Sequence, residues 1–305
     1  MRIPPTLRDR ADIALIGPRR RENRLTTGTM AALARGLRFT FGTRRQTAAA
    51  TLVLTGAGER VILRFRNGTP AKVRIYLIPS PASDWTFSVD VADGAAASVE
   101  FQILGTSERL DFHRRINVGE RATLEQTTFF LNGGSSVASD YAVIAGTAGS
   151  LRSETLGIVS GTDRLEAVQD VRHVASATRS VLVNSLVAAG SASIAFDVTG
   201  AIAKGHAGSD CKQANRGVLL GEKASIEVSP KLLIDEYDVQ AGHGCAIGRV
   251  DADELYYLTS RGLDESTARR LVVSGYIAPF VAKIDDPVVR RHVDKALSAR
   301  LGGAS

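Results

Sequence analysis

The sequence predicts a mainly β protein, a parallel β-helix followed by a helical C-terminal segment. Three observations predict it. From Thr51 to Val250 the chain alternates apolar and polar residues with almost no helical periodicity. Small-residue turns led by Gly precede strand after strand. After Val250 the apolar spacing changes abruptly to that of amphipathic helices.

The order of elements divides the chain into three parts. Residues 1–45 form a basic segment that includes "PRRRENR" from Pro18 to Arg24. In it, Thr27 is placed to cap a helix carrying Met30, Leu33, Leu37 and Phe39 on one face.

Residues 46–250 form the β core. Runs such as "RVILRFRNG", "ASVEFQIL", "ATLEQTTFF", "SVLVNSLVAAG" and "SIAFDVTGAI" have period two and many β-branched residues. Strands follow turns at Asp93, Gly119, Gly146, Gly190 and Gly221, at intervals of roughly 25 to 45 residues. A β-sandwich also has many short strands. It would carry more tight-hairpin signals than Asn67-Gly68 and Asn132-Gly133. A stacked solenoid accounts better for the Ala/Ser/Gly-rich turns.

Residues 251–305 are helical. Asp251 with Glu254 forms a capping box ahead of Leu255 and Leu258, and Arg261-Gly262 ends that helix. Asp264 caps the next, with Ala268, Leu271 and Val272 on one face and Gly275 closing it. Asp286-Pro287 starts a third, with an apolar row at Val289, Val293 and Leu297. An apolar helical pair here is either a docking surface for a partner or a cap on the rod, and the two roles are compatible.

Composition narrows the function classes. No apolar run approaches the length of a membrane helix, so no membrane partner is expected. "MRIPPTLRDR" lacks the apolar stretch of a signal peptide, which points to a cytoplasmic protein. The 2 cysteines, Cys211 and Cys245, are read as free thiols rather than a disulfide framework. The net charge of +6 is concentrated early, but no aromatic residues interleave Arg19 to Arg24, so nucleic acid is not the expected partner. A carbohydrate-active β-helix would want aromatic sugar platforms, and aromatics are 6% of the chain. No nucleophile–His–Asp pattern, phosphate-binding Gly loop or paired-cysteine motif stands out, and the chain is not read as an enzyme.

The candidate ligands lie in "AGHGCAIGRVD". His243 sits between Gly242 and Gly244, not on an apolar face, so a packing role is less natural for it. In an extended segment His243 and Cys245 project to the same side. Imidazole and thiolate are both competent metal ligands. Two readings of Cys245 stand: a companion ligand, or a small buried hydrophobe in a coil ladder. Cys211 lies in the turn-like "SDCKQAN" and is a free thiol or a buried one. His113, His206 and His292 form no constellation and are read as surface residues.

The stretch from Asp170 to Phe280 resembles the SufB/SufD family of iron–sulfur cluster assembly scaffolds, with a weaker likeness reaching back to about Ile75. The carrying residues are His173, then Phe196, Gly200, Ala207, Gln213, Asn215, Leu219, Leu220, Pro230, Leu232, Ile234, Asp238 and Val239, then the "LYYLTSRGL" helix. The resemblance implies a right-handed parallel β-helix. It implies a scaffold that pairs with a SufB-like paralogue or a second copy of itself. It also implies a SufC-like ABC ATPase docked on the C-terminal helices, with Leu255, Tyr256, Tyr257, Leu258, Arg261, Gly262, Leu271 and Tyr276 as the contact set. Iron or an iron–sulfur cluster is then held transiently at the subunit interface, with His243 at the position tied to iron handling in the SufD branch. The SufB branch carries a cysteine and a glutamate where this chain has Asn215 and Gly244, so the likeness is to SufD. A reduced N-terminal part leaves a minimal homodimeric relative open.

Overall fold

The computed structural model describes residues 13–17, 20–22, 29–33, 36–41, 48–68, 70–282, 284, 290–291, 294 and 298. The chain is a parallel β-solenoid of about 8 turns with two C-terminal helices among the described residues.

Each coil gives one strand to each of two facing ladders. The first ladder runs through β1 (Ile13–Gly17), β5 (Ala48–Gly56), β7 (Ala71–Pro79), the first halves of β9 (Ala96–Val118) and β10 (Thr123–Ile144), β11 (Ser150–Val159), β13 (Arg179–Ala189), β15 (Asp210–Leu220) and β17 (Gln240–Arg249). The second runs through β4 (Gly36–Phe41), β6 (Arg60–Phe65), β8 (Ala82–Val91), the second halves of β9 and β10, β12 (Arg164–His173), β14 (Ser193–Ile202) and β16 (Ser225–Ile234). The short β2 (Arg20–Glu22) and β3 (Thr29–Leu33) pair antiparallel with β1 and β4. A coil takes 23 residues from Ala48 to Ala71 and 32 from Ser193 to Ser225.

One corner is built alike on five successive coils. Gly94, Arg121, Ala148, Ala177 and Gly208 are all left-handed, with φ of 67°, 48°, 56°, 54° and 73°. Each donates its N–H one coil on, to the carbonyls of Glu120, Thr147, Ser176, Ala207 and Asp238 respectively, at 2.7–3.1 Å. The left-handed conformation costs a non-Gly residue about 1 kcal/mol or more. At Arg121, Ala148 and Ala177 the coil-to-coil bond offsets that cost. The opposite corner turns at Gly161, Gly190 and Gly221. The turns that recur in the sequence therefore belong to two corners, and the long step from Gly146 to Gly190 crosses from one corner to the other.

Two cores result. Inside the coils, rings fill the early part: Phe87 lies 5.1 Å from Phe101 and 5.4 Å from Phe112, and Phe112 lies 6.4 Å from Phe130. Further along, the interior turns polar. Asn184 Nδ2 donates to Gln169 Oε1 at 3.1 Å and to Asn215 Oδ1 at 2.9 Å, and Gln126 and Gln169 both donate to Ser153 Oγ. These amides are buried and belong to both ladders, so they tie the two sheets across the interior. The second core lies on the outer face of the first ladder. Leu104, Phe129, Leu131, Leu156, Ile158 and Val187 cluster there with Val273, Ile277 and Phe280 of the long helix α2 (Glu265–Val281), which follows α1 (Ala252–Ser260). Burying each such side chain contributes about 1.5–3 kcal/mol.

Three expectations change. The helix expected on Met30, Leu33, Leu37 and Phe39 is β3 and β4, because Leu37, Phe39 and Phe41 are all buried with period two. Thr27, its expected cap, lies outside the described residues. The helix expected to stop at Gly275 continues through Gly275 and Pro279 to Val281. Gly275 faces open space, and the packing of Ile277 and Phe280 outweighs its weak helix preference. Among the described residues the long helix α2 lies along the flank of the first ladder rather than across the rod end. The third expected helix, from Asp286, lies largely outside the described residues, as does His292. No helix among the described residues is long and apolar enough to cross a membrane.

Candidate metal-binding end of the solenoid

The last coil is the candidate site. Strand β16 finds its ladder partner in β14, and β17 finds its partner in β15. No described strand stacks on them, so each leaves one edge of backbone N–H and C=O groups open. Every residue of β17 is exposed.

Strand alternation places the two ligand candidates. His243 is in register with Gln213, and Cys245 with Asn215. In the coil beneath, Gln213 and Asn215 are interior side chains, both buried. His243 and Cys245 thus stand in interior-facing columns at the coil where the interior opens. They are two residues apart on one strand, roughly 6.6 Å along it. Asn215 Nδ2 reaches toward Gly244 O between them at 3.4 Å. Behind His243, the buried Gln213 Oε1 has no hydrogen-bond partner among the described residues.

Cys245 is exposed, which removes its reading as a buried hydrophobe. No three His, Cys, Asp or Glu side chains converge as a metal site among the described residues. Among the described residues His243 and Cys245 are thus two ligand-capable side chains on one strand, half of a four-ligand set.

The other candidates fall elsewhere. Cys211 lies within strand β15 rather than a turn, and it is fully buried and free. Burial pushes its thiol pKa up, which keeps it protonated and unreactive. His173 is also fully buried, with Nδ1 2.8 Å from Thr178 Oγ1 and Nε2 2.8 Å from Ser180 Oγ. Burial lowers its pKa to about 4, so it is a neutral structural residue. Of the residues expected on the surface, His113 and His206 are half-buried, and His113 Nδ1 is bonded to Ser139 Oγ at 2.7 Å.

The contact set on the helices is split. Asp251 caps α1 by accepting from Asp253 N at 2.7 Å, and Asp264 caps α2 by accepting from Thr267 N at 2.9 Å. Tyr256, Tyr257 and Leu271 are 75%, 57% and 52% exposed. Arg261 lies over the Tyr257 ring at 5.2 Å, and the left-handed Gly262 ends the helix. Leu255 and Leu258 are half-buried, and Leu255 lines a cleft of about 570 Å³ between α1 and the corner at Gly221. Tyr276 is turned inward, and burial raises its hydroxyl pKa. It is partly buried and packs against the second core.

The sequence reading did not single out Leu233, Tyr237 and Ile247. All are exposed at the rod end, and Tyr237 is 99% so. Ile247 continues the interior column of Leu186 and Gly217 and is exposed because no described coil covers it, whereas Leu233 lies on the outer face of β16 and Tyr237 in the turn before β17.

Comparison with known proteins agrees with this architecture. The family model described as "SUF system FeS cluster assembly, SufBD core domain" matches residues 80–276. The iron–sulfur cluster assembly protein SufD of Bacillus subtilis is 30% identical over 183 residues, 60% of this chain and 42% of that protein. An iron–sulfur cluster assembly SufBD family protein of Mycobacterium bovis is 41% identical over 95 residues, 31% of this chain and 24% of that one. The SufD of Escherichia coli is 28% identical over 96 residues, 32% of this chain and 23% of that protein. The chain thus spans less than half the length of these relatives. With more than half of its residues inside the family match, and with the parallel solenoid and flanking helices in place, the chain belongs to the SufBD family and stands nearer SufD.

Proposed function

We propose that the chain is a non-enzymatic, cytoplasmic scaffold subunit of a Suf-type iron–sulfur assembly complex. It pairs through the open end of its solenoid with a second SufB/SufD-like chain. An ABC-type ATPase binds its C-terminal helices and supplies the energy. The observation that carries this reading is the open edge of the last described coil, with His243 and Cys245 both exposed on it.

An open parallel edge is a template for another chain. A side chain at Gly242, Gly244 or Gly248 would meet nothing within 4 Å in this chain, so packing within the subunit does not require glycine there. Three glycines on one edge strand suit close approach of a partner backbone. Leu233, Tyr237 and Ile247 supply exposed apolar area beside it. The cargo, iron or a nascent cluster, is held between subunits by His243 and Cys245 with ligands from the partner. The second reading, a homodimer, rests on the same strand. A two-fold axis beside β17 would bring two copies of His243 and Cys245 together, a complete set of four ligands.

The exposed Tyr256, Tyr257 and Leu271 suit an apolar docking surface for the ATPase. The test is reconstitution with an ABC-type ATPase and, where needed, a SufB-like chain, under anaerobic iron and sulfide loading. A stable complex is expected. In it, His243→Ala retains less iron than wild type, while Cys211→Ser retains as much. No ATPase association, or equal iron in both variants, contradicts the reading.

A further inference from the structure

The outer face of the second ladder carries a groove of about 560 Å³, far from the open end in coil order. Its walls are a grid set by register. Arg60, Thr86, His113 and Ser139 follow one another on four successive coils, and Ser88, Arg115 and Tyr141 form the adjoining row. Successive coils are about 4.8 Å apart, so Arg60 and His113 start roughly 10 Å from one another.

The charges here are unlike those around them. Elsewhere on this ladder, exposed arginines are paired: Arg64 with Asp90, Arg109 with Asp111, Arg164 with Glu166, and Arg172 with Asp170. Arg60 and Arg115 make no ion pair among the described residues, and no carboxylate lines the groove. His113 Nδ1 is engaged with Ser139 Oγ, which is itself buried and fixes the ring, while Nε2 bonds to no described residue. The hydroxyls of Thr86, Ser88 and Tyr141 are likewise without a described partner. Tyr141 is 49% exposed and offers a ring at the rim.

From this geometry we infer a binding site for a phosphate-bearing small molecule of about nucleotide size. The volume lies within the range of small-ligand pockets. Arg60 and Arg115 bring two guanidinium groups to a groove whose lining holds no carboxylate, and guanidinium pairs bidentately with phosphate oxygens. The hydroxyls and the imidazole add donors across the floor, and Tyr141 gives a flat apolar face for a ring. The inference does not rest on the proposed scaffold role, since the groove lies on early coils and shares no residue with the pairing edge or the helices.

The test is calorimetric titration of the purified chain at low salt, with inorganic pyrophosphate and with ADP as probes. Saturable binding of at least one probe is expected. Arg60→Ala and Arg115→Ala should each weaken it about tenfold, the scale of one lost charged hydrogen-bonding group. Arg172→Ala, beside the groove but paired, should leave it unchanged. Tighter binding of ADP than pyrophosphate assigns the ring to Tyr141, and Tyr141→Ala should then remove that difference. All three arginines are exposed, so circular dichroism should confirm an intact fold in each variant. No binding of either probe at millimolar concentration overturns the inference, and so does binding that survives the Arg60→Ala/Arg115→Ala double substitution.

Discussion

Arg114 holds both carboxylate oxygens of Asp140 inside the solenoid, while its guanidinium carbon lies 4.7 Å from the centre of the Phe101 ring. The pair marks the border between the ring-filled and amide-filled parts of the interior. Arg114 also donates to Thr128 Oγ1 at 2.7 Å and packs on Phe112 at 5.0 Å. Both partners are buried. Removing one leaves the other charge uncompensated in a dry interior, which costs about 3–5 kcal/mol. Asp140→Ala should therefore lower unfolding stability by that amount in urea titration. Replacing both residues by apolar ones should cost much less, and equal losses would contradict the account.

His173 sets a pH dependence. In the folded chain it takes a proton only near pH 4, against an ordinary 6.5. Between those values the unfolded chain binds more protons than the folded one, so stability falls as pH falls. The contribution is full above about pH 6.5 and is lost on acidification toward pH 4. Up to about 3 kcal/mol is at stake. Thermal unfolding followed from pH 7 to 4.5 should show a Tm decline in wild type that is shallower in His173→Gln, once the lower Tm of the variant at pH 7 is allowed for.

The cysteines should separate by access. Cys245 is exposed and Cys211 is fully buried with a raised thiol pKa. An aromatic disulfide reagent should label one thiol of the native isolated chain quickly, and the second only after denaturation. Cys245→Ser should abolish the fast phase and Cys211→Ser should leave it. Slow labelling of both would place Cys245 under cover.

Much of the solenoid was legible because strand period and turn chemistry are local. Period two in "SIAFDVTGAI" or "ATLEQTTFF" reports one inward face, whatever coil it belongs to. The helix expected near Leu37 failed because Met30, Leu33 and Leu37 fit a helical spacing, while the decisive alternation of Leu37, Phe39 and Phe41 begins only at the end of that stretch. The exposure of Cys245 was not legible, because it depends on whether another coil follows, and a strand in the last coil reads like one in the middle. The inward turn of Tyr276 was hidden for a similar reason. The outer face of the first ladder, Leu156, Ile158 and Val187, buries α2 on its flank, and strand pattern alone does not say what covers an outer face. The motifs carried the likeness to the SufB/SufD family from about Asp170 and only weakly back to about Ile75, while the family match runs from residue 80 to 276.

The last prediction concerns the open edge. If β16 and β17 are the pairing surface, charges placed there should prevent association without harming the subunit. Leu233 is 59% exposed and Ile247 is also exposed, so neither contributes much to the fold of the single chain. Surface substitutions of this kind usually change stability by less than about 0.5 kcal/mol. At an interface, the same charges would be buried without partners, which costs several kcal/mol and shifts association by orders of magnitude. Leu233→Arg with Ile247→Arg should thus leave circular dichroism and Tm near wild type. In light scattering after size exclusion, the variant should run as a monomer where the wild-type chain, alone or with a SufB-like chain, runs as a dimer. A dimer that persists in this variant would move the interface to another surface, and the iron site with it, because His243 and Cys245 share the edge.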